Sequence, residues 1–221
     1  MIAAEDKPAL QGWSVIKLAL ESGRLRQAVA ALVGVLGCQV AIAASLELQV
    51  IDEQGVALEH AAVALKPVGA VPPITPGKAE IIQQGKRFIP LMTAVPTGTA
   101  ISFPNRDTVR HHVYSFSPAK PFELKLYIGT PAEPELFDKP GVVVMGCNIH
   151  DHMVAYVVVS DTPWVGVSDA AGRVRIDGAP AGEYTLEYWH PRWAGSTNEP
   201  KRVPLGLSGD DRHTLVIGAQ P

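Results

Sequence analysis

The sequence predicts an all-β protein, and three observations carry that reading. Nineteen prolines and twenty glycines divide the 221 residues into short segments. Within several of those segments apolar and polar residues alternate at period two. Beyond residue 44 no long stretch repeats its apolar residues at the helical period of 3.6. Composition agrees: 47% hydrophobic and 19% charged residues suit a packed globular chain, not a disordered one. A net charge of -3 gives no electrostatic footprint for nucleic acid.

The N-terminal part reads as an export leader with a signal helix. Arg24 and Arg26 precede an apolar run, 28–44, interrupted by Gln39. The run ends in Ala41-Ile42-Ala43-Ala44-Ser45, which offers cleavage after Ala43 or nearby. Residues 1–44 are therefore expected to be a Sec-type signal peptide, with the mature protein in the periplasm. The run is short and rich in Ala and Gly for a membrane span. An uncleaved anchor is one alternative. A lipoprotein leader is another, since Val35-Leu36-Gly37-Cys38 loosely resembles a lipobox, although the apolar run continues past Cys38. The membrane is a partner only in those two cases. Residues 1–22 are long and mixed for the head of a signal, which points to a start codon further in.

Of the two cysteines, Cys38 would leave with the leader and Cys147 would remain. An exported protein with one cysteine forms no internal disulfide. A lone thiol in an oxidising compartment is either buried or a metal ligand.

The strands follow in order. Leu46, Leu48 and Val50 alternate with Glu47 and Gln49, so 46–51 is a half-buried strand. Asp52-Glu53-Gln54-Gly55 is a turn, and 61–65 is a second strand. Pro67, Pro72, Pro73 and Pro76 make 67–78 a connector. A new series is expected at 79–83, 87–92, 99–104, 110–116, 122–128, 141–147 and 153–159, closed by Asp161-Thr162-Pro163. Then come 165–167, a turn at 168–172, an alternating strand at 173–177, a turn at 179–182, a strand at 184–188 and a last one near 213–218.

One segment carries chemistry: Cys147-Asn148-Ile149-His150-Asp151-His152-Met153. It places a thiol, an imidazole and a thioether on one tight loop. Soft sulfur with imidazole suits copper, and two His plus one Cys with a weak axial Met is the electron-transfer copper arrangement. The second imidazole must come from elsewhere, and Phe103 to Val113 supplies His111 and His112. At strand period His111 shares a face with Val109 and Val113, which read as core-facing, whereas His112 shares the other face with Tyr114. The predicted ligands of one type 1 copper ion are His111, Cys147, His150 and Met153, with His112 as the alternative to His111.

On these residues the chain resembles the cupredoxins, those of amicyanin and plastocyanin type in particular. The C-x-x-H-x-x-M loop has amicyanin-like length. Phe137 lies four residues before Gly141, which lies six before Cys147, and that approach is also amicyanin-like. The spacings Gly98 to Asn105 and Asn105 to His111 repeat the family's pattern around its first His. The resemblance covers roughly 80–159. It implies a Greek-key β-sandwich with copper at one end, cycling between Cu(I) and Cu(II). The chain departs from the family at His112, where Asn is usual. Val143 and Met145 replace aromatic residues, and Asn148, Ile149, Asp151 and His152 replace a Thr/Pro-rich loop.

The flanks, 45–78 and 161–221, resemble the carboxypeptidase-regulatory-like or transthyretin-like sandwich when joined. The matching positions run from Val50 to Leu65, from Asp169 to Ile176 and from Pro180 to Leu186. A copper domain at 79–160 would then be inserted between the second and third strands of this module. The alternative is an extended cupredoxin with 161–221 appended. Trp189-His190-Pro191-Arg192-Trp193 reads either as an interface or as a sandwich edge with its aromatics tucked in. His60 and His213 read as surface residues.

The expected function is that of a periplasmic one-electron carrier and not an enzyme. Its redox partners would be proteins, such as a dehydrogenase or a c-type cytochrome. The architecture is similar to proteins labelled methylamine utilisation proteins, though nothing in the chain recognises an amine. Copper storage, delivery or sensing is the alternative, and a scaffold role resting on the flanks is a third.

Overall fold

The computed structural model describes residues 43–194 and 196–218. The expected leader lies outside the described residues except for Ala43 and Ala44, whose backbones already pair with Pro180 and Ala179. Strand β1 (Ala43–Asp52) opens the described chain, and the turn after it is closed by Asp52 Oδ1, which accepts from Gln54 and Val56 N–H. Strand β2 (Ala62–Pro67) follows. The central series is β3 (Lys78–Glu80), β4 (Ile82–Gln83), β5 (Phe88–Ile89), β6 (Met92–Pro96), β7 (Thr99–Ser102), β8 (His111–Ser115), β9 (Phe122–Tyr127), β10 (Glu135–Phe137), β11 (Gly141–Cys147) and β12 (Val154–Ser160). The last series is β13 (Val165–Val167), β14 (Arg173–Pro180), β15 (Gly182–Trp189), β16 (Lys201–Leu207) and β17 (Asp210–Ile217). A single 3-10 turn, Pro191–Trp193, is the only helical element among the described residues. The protein is all-β, as its alternation and turn residues predict. Among the described residues no helix is long and apolar enough to cross a membrane.

Five sheets result. The central series forms a five-stranded sheet in the order β6-β12-β11-β8-β9, a three-stranded sheet β10-β7-β3, and the small β4-β5 hairpin. The flanks form β14-β1-β17 and β13-β2-β15-β16. Strands that precede the central series therefore pair with strands that follow it. Leu46 faces Ile176 across β1 and β14, and Leu65 faces Leu186 across β2 and β15.

Two cores share the five-stranded sheet. Val143, Met145, Cys147, Ala155, Val157 and Val159 pack with Ile101, Phe103, Val113 and Phe137. Val142, Tyr156 and Val158 pack with residues of the flanks, including Trp189, Leu65 and Leu186. Both faces of β11 and β12 are thus covered, which accounts for their nearly unbroken apolar sequences. Trp189 stacks at a tilt on Tyr156, ring centroids 5.2 Å apart. Trp189 and Trp193 are buried, and their indole N–H groups donate to Thr197 and Gly218 carbonyls. The aromatics of that segment are tucked in.

Strand limits differ from expectation where backbone chemistry intervenes. The run 79–83 divides at Ile81 because β3 pairs with β7 while β4 pairs with β5. The run 87–92 breaks at Pro90, which has no N–H to give a ladder. Strand β16 was not expected, and it contains Pro204 and Gly206. It lies at a sheet edge, where Pro is tolerated. Strand β10, three residues long, left no periodic signal.

Candidate metal centre

Strands β8 and β11 run antiparallel, with Cys147 opposite Val113. The last residue of β11 and the first of β8 therefore meet at one end of the sandwich. The Asn148 N–H donates to the His112 carbonyl (3.1 Å) and ties the loop after β11 to β8. Within the loop, Met153 N–H donates to the His150 carbonyl (2.9 Å), and Cys147 N–H donates to the Met153 carbonyl (3.3 Å). These bonds close a tight turn and hold Cys147, His150 and Met153 in fixed relation.

The side chains converge. Cys147 Sγ lies 3.8 Å from His111 Nδ1 and 3.7 Å from His150 Nδ1. The three donor atoms all lie within 4.8 Å of one another. This is the only such cluster of His, Cys, Asp or Glu among the described residues. The two imidazole rings meet edge to face, centroids 5.0 Å apart. His111, Cys147 and Met153 are buried, while His150 is half-exposed. Met153 belongs to the same apolar core as Cys147.

Of the two adjacent histidines, the core face of β8 takes His111, as strand parity predicts. His111, Val113 and Ser115 are buried on one face of β8, whereas His112 and Tyr114 lie on the other. Val109, expected to face the core, is instead 40% exposed, because the strand begins only at His111. His112 turns away from the cluster. Its Nε2 is 2.8 Å from Glu123 Oε1, a close approach not aligned as a hydrogen bond. His152 is exposed, its ring 6.2 Å from that of His150.

One neighbour of the cluster escaped sequence reasoning. The His111 Nε2 lies 2.8 Å from Asp107 Oδ2. A carboxylate can only accept, so Nε2 carries the hydrogen and Nδ1 presents its lone pair toward Cys147. Asp107 itself accepts from Gly85 N–H (2.7 Å) and Lys86 N–H (2.9 Å) in the β4-β5 hairpin. Burial alone would raise the Asp107 carboxyl. The hydrogen bonds from Lys86, His111 and Gly85 outweigh it and hold the carboxyl below its usual value. Nothing in the sequence marks Asp107, which stands in an ordinary loop string. Asn105 shapes that loop: its side-chain amide donates to the Val109 and Tyr127 carbonyls, and its oxygen accepts from Asp107 N–H.

Burial lowers the His150 imidazole below its usual value, and the nearby His111, Lys86 and His152 add to that effect. Its neutral, metal-competent form is favoured accordingly. Tyr127, opposite His111 in β9, is pushed up to about 12 by burial. Its hydroxyl donates to the Phe103 carbonyl (2.7 Å).

Fold and site together define a class: an all-β sandwich protein whose buried thiol and two imidazoles converge on one point at the sandwich end. No protein-family model matches the chain, and no curated protein matches it. Among solved structures, the chain is similar to a purple cupredoxin from Nitrosopumilus maritimus at 26% identity and TM-score 0.33. That likeness covers 37% of this chain and 99% of the other. It is also similar to amicyanin from Paracoccus versutus, at 12% identity and TM-score 0.33, over 47% of this chain and 100% of that one. A third similarity is to a copper-containing nitrite reductase from Thermus scotoductus, at 24% identity and TM-score 0.35. It covers 43% of this chain and only 25% of the reductase chain.

Proposed function

We propose that this chain holds one copper ion through His111, Cys147, His150 and Met153 and carries single electrons between protein partners. The observation that carries the proposal is the pair of imidazole Nδ1 atoms at 3.8 and 3.7 Å from Cys147 Sγ. Separations of that size suit donors arranged around one ion with bonds of ~2.0–2.3 Å. Two nitrogens and a sulfur, with a buried thioether beside them, fit copper better than a hard cation. The bound ion would supply a one-electron Cu(II)/Cu(I) couple. The protein supplies rigidity: His111 and Cys147 stand on paired strands, and His150 and Met153 are fixed by the turn between them. Little needs to move when the charge changes. His150 is the half-exposed ligand, and its loop neighbour Ile149 is 47% exposed. A donor or acceptor protein would meet the site there, in a small and transient encounter.

The remaining parts of the reading rest on the sequence and on strand pairing. The leader pattern at 1–44 and the lone Cys147 support a periplasmic protein. A dehydrogenase or a c-type cytochrome is the class of partner such a carrier would serve. The pairing of β1 and β2 with β14 and β15 supports 45–78 and 161–221 as one host module with 79–160 inserted. Copper delivery is the second reading, favoured by exposed His152 beside His150.

The test is to load the mature protein with Cu(II) and record visible and EPR spectra. The expected result is an intense thiolate-to-copper band that Cys147→Ser abolishes. A colourless protein that behaves like its Cys147→Ser variant would overturn the proposal. A colourless site that passes copper to an acceptor chelate would favour delivery.

A further inference from the structure

The strongest feature outside the ligand set is the chain of contacts from His111 to the β4-β5 hairpin. His111 is fully buried, and its Nε2–H donates to Asp107 Oδ2 at 2.8 Å. The carboxylate is held from behind by two backbone N–H groups, of Gly85 and Lys86, at 2.7 and 2.9 Å. Both hairpin residues adopt the left-handed conformation, φ 62° and 55°, which turns their N–H groups toward the carboxylate side of the hairpin. Asp107 N–H is in turn fixed by Asn105 Oδ1 at 2.9 Å. Asp107 is therefore a positioned anion, with its side chain only 14% exposed. A backbone carbonyl or a water could hold the His111 hydrogen equally well. A carboxylate adds a full negative charge one imidazole away from the metal position.

We infer that Asp107 is a positioning residue that fixes the His111 tautomer and biases the site toward oxidised copper. The inference rests on the copper reading above. Its physical basis is that a nearby anion stabilises the more positive of two oxidation states, in a setting where burial weakens solvent screening. The couple takes up one electron from the donor protein, and the Nε2 hydrogen stays on His111 in both states. Removing the charge while keeping the shape should therefore favour the reduced state.

The experiment compares the wild-type chain with Asp107→Asn and Asp107→Ala. Asn keeps the size and an acceptor oxygen for the hairpin N–H groups, so it guards against simple unfolding of Asp107→Ala. Two measurements are made: the reduction potential of the copper-loaded protein, and the 15N shifts of the His111 ring in the copper-free protein. Loss of an outer hydrogen-bond partner costs roughly 10-fold or more in metal affinity. If the loss falls mainly on Cu(II), Asp107→Asn shifts the Cu(II)/Cu(I) balance about tenfold toward Cu(I), a rise of ~59 mV for one electron. The copper-free wild type should show a single Nε2–H tautomer, and Asp107→Ala a mixture. A blue Asp107→Asn protein at the wild-type potential would overturn the charge bias. A single Nε2–H tautomer in both variants would overturn the positioning role. If the wild type itself shows no thiolate band, the copper reading fails, and the tautomer measurement still decides what Asp107 does.

Discussion

At the residue scale, two adjacent histidines have different fates because a strand exposes alternate faces. His111 points into the core end, 3.8 Å from Cys147 Sγ, while His112 faces Glu123 and Tyr114. The two are interchangeable in composition and separated by one peptide unit. Their substitution should not be equivalent. His111→Ala removes a nitrogen donor from the cluster and should abolish the thiolate–copper band or displace it strongly. His112→Ala should keep the band, with copper affinity within about threefold of wild type, a difference under ~1 kcal/mol. Titration with Cu(II) followed in the visible range checks both. Equal losses in the two variants would mean that strand parity does not select the ligand.

At the element scale, the end of β15 is tied to the loop before β2 by one neutral ring. His190 Nε2–H donates to the Glu59 carbonyl (2.9 Å), and Nδ1 accepts from Arg192 N–H (3.0 Å). Burial lowers this imidazole below its usual 6.5, with Arg192 and His60 adding to the effect while the bond to Glu59 opposes it. The folded ring therefore refuses a proton that the unfolded chain accepts. Its contribution to stability is complete above about pH 6.5 and declines as pH falls toward the lowered folded value. Below that value it is constant. The thermal midpoint of the wild type should thus fall as pH drops below about 6.5. His190→Asn should flatten that slope, since Asn can still cap the 3-10 turn. A wild-type midpoint that is level between pH 7 and pH 5 would contradict this assignment.

At the scale of the whole molecule, the five-stranded sheet serves two cores at once. Trp189, fully buried, lies against Tyr156 on the face of that sheet opposite the metal cluster. The described residues from Ala43 onward belong to one compact unit. Cooperative unfolding should follow from the shared sheet. Trp189→Ala should cost ~3–5 kcal/mol, the usual range for emptying a buried aromatic site. It should lower the midpoint of the copper-site signal and of the far-UV circular dichroism together. Separate transitions, with the copper signal surviving loss of the flanking strands, would show that the sandwiches unfold independently.

Much of this was written in the sequence alone. Alternation at 46–51, 173–177 and 184–188 marked flank strands, and the continuous apolar runs at 141–147 and 153–159 marked central ones. The spacing from Cys147 to His150 to Met153 defined one tight loop, because three residues per step suffice to bring donors to one side of a turn. What the sequence could not supply were relations between distant segments. It gave Asp107 no distinguishing mark, because the residue acquires its role only when the hairpin at Gly85 and Lys86 folds over it. It placed Val109 with the core, although the strand starts two residues later. It left β16 and β10 unmarked, because both are held by pairing to neighbours and not by their own periodicity. Local spacing determines which side chains can share a turn or a face, since that depends on bonded geometry. Only the tertiary structure decides which turn meets which strand, since that depends on the burial of surfaces contributed by residues far apart in the chain.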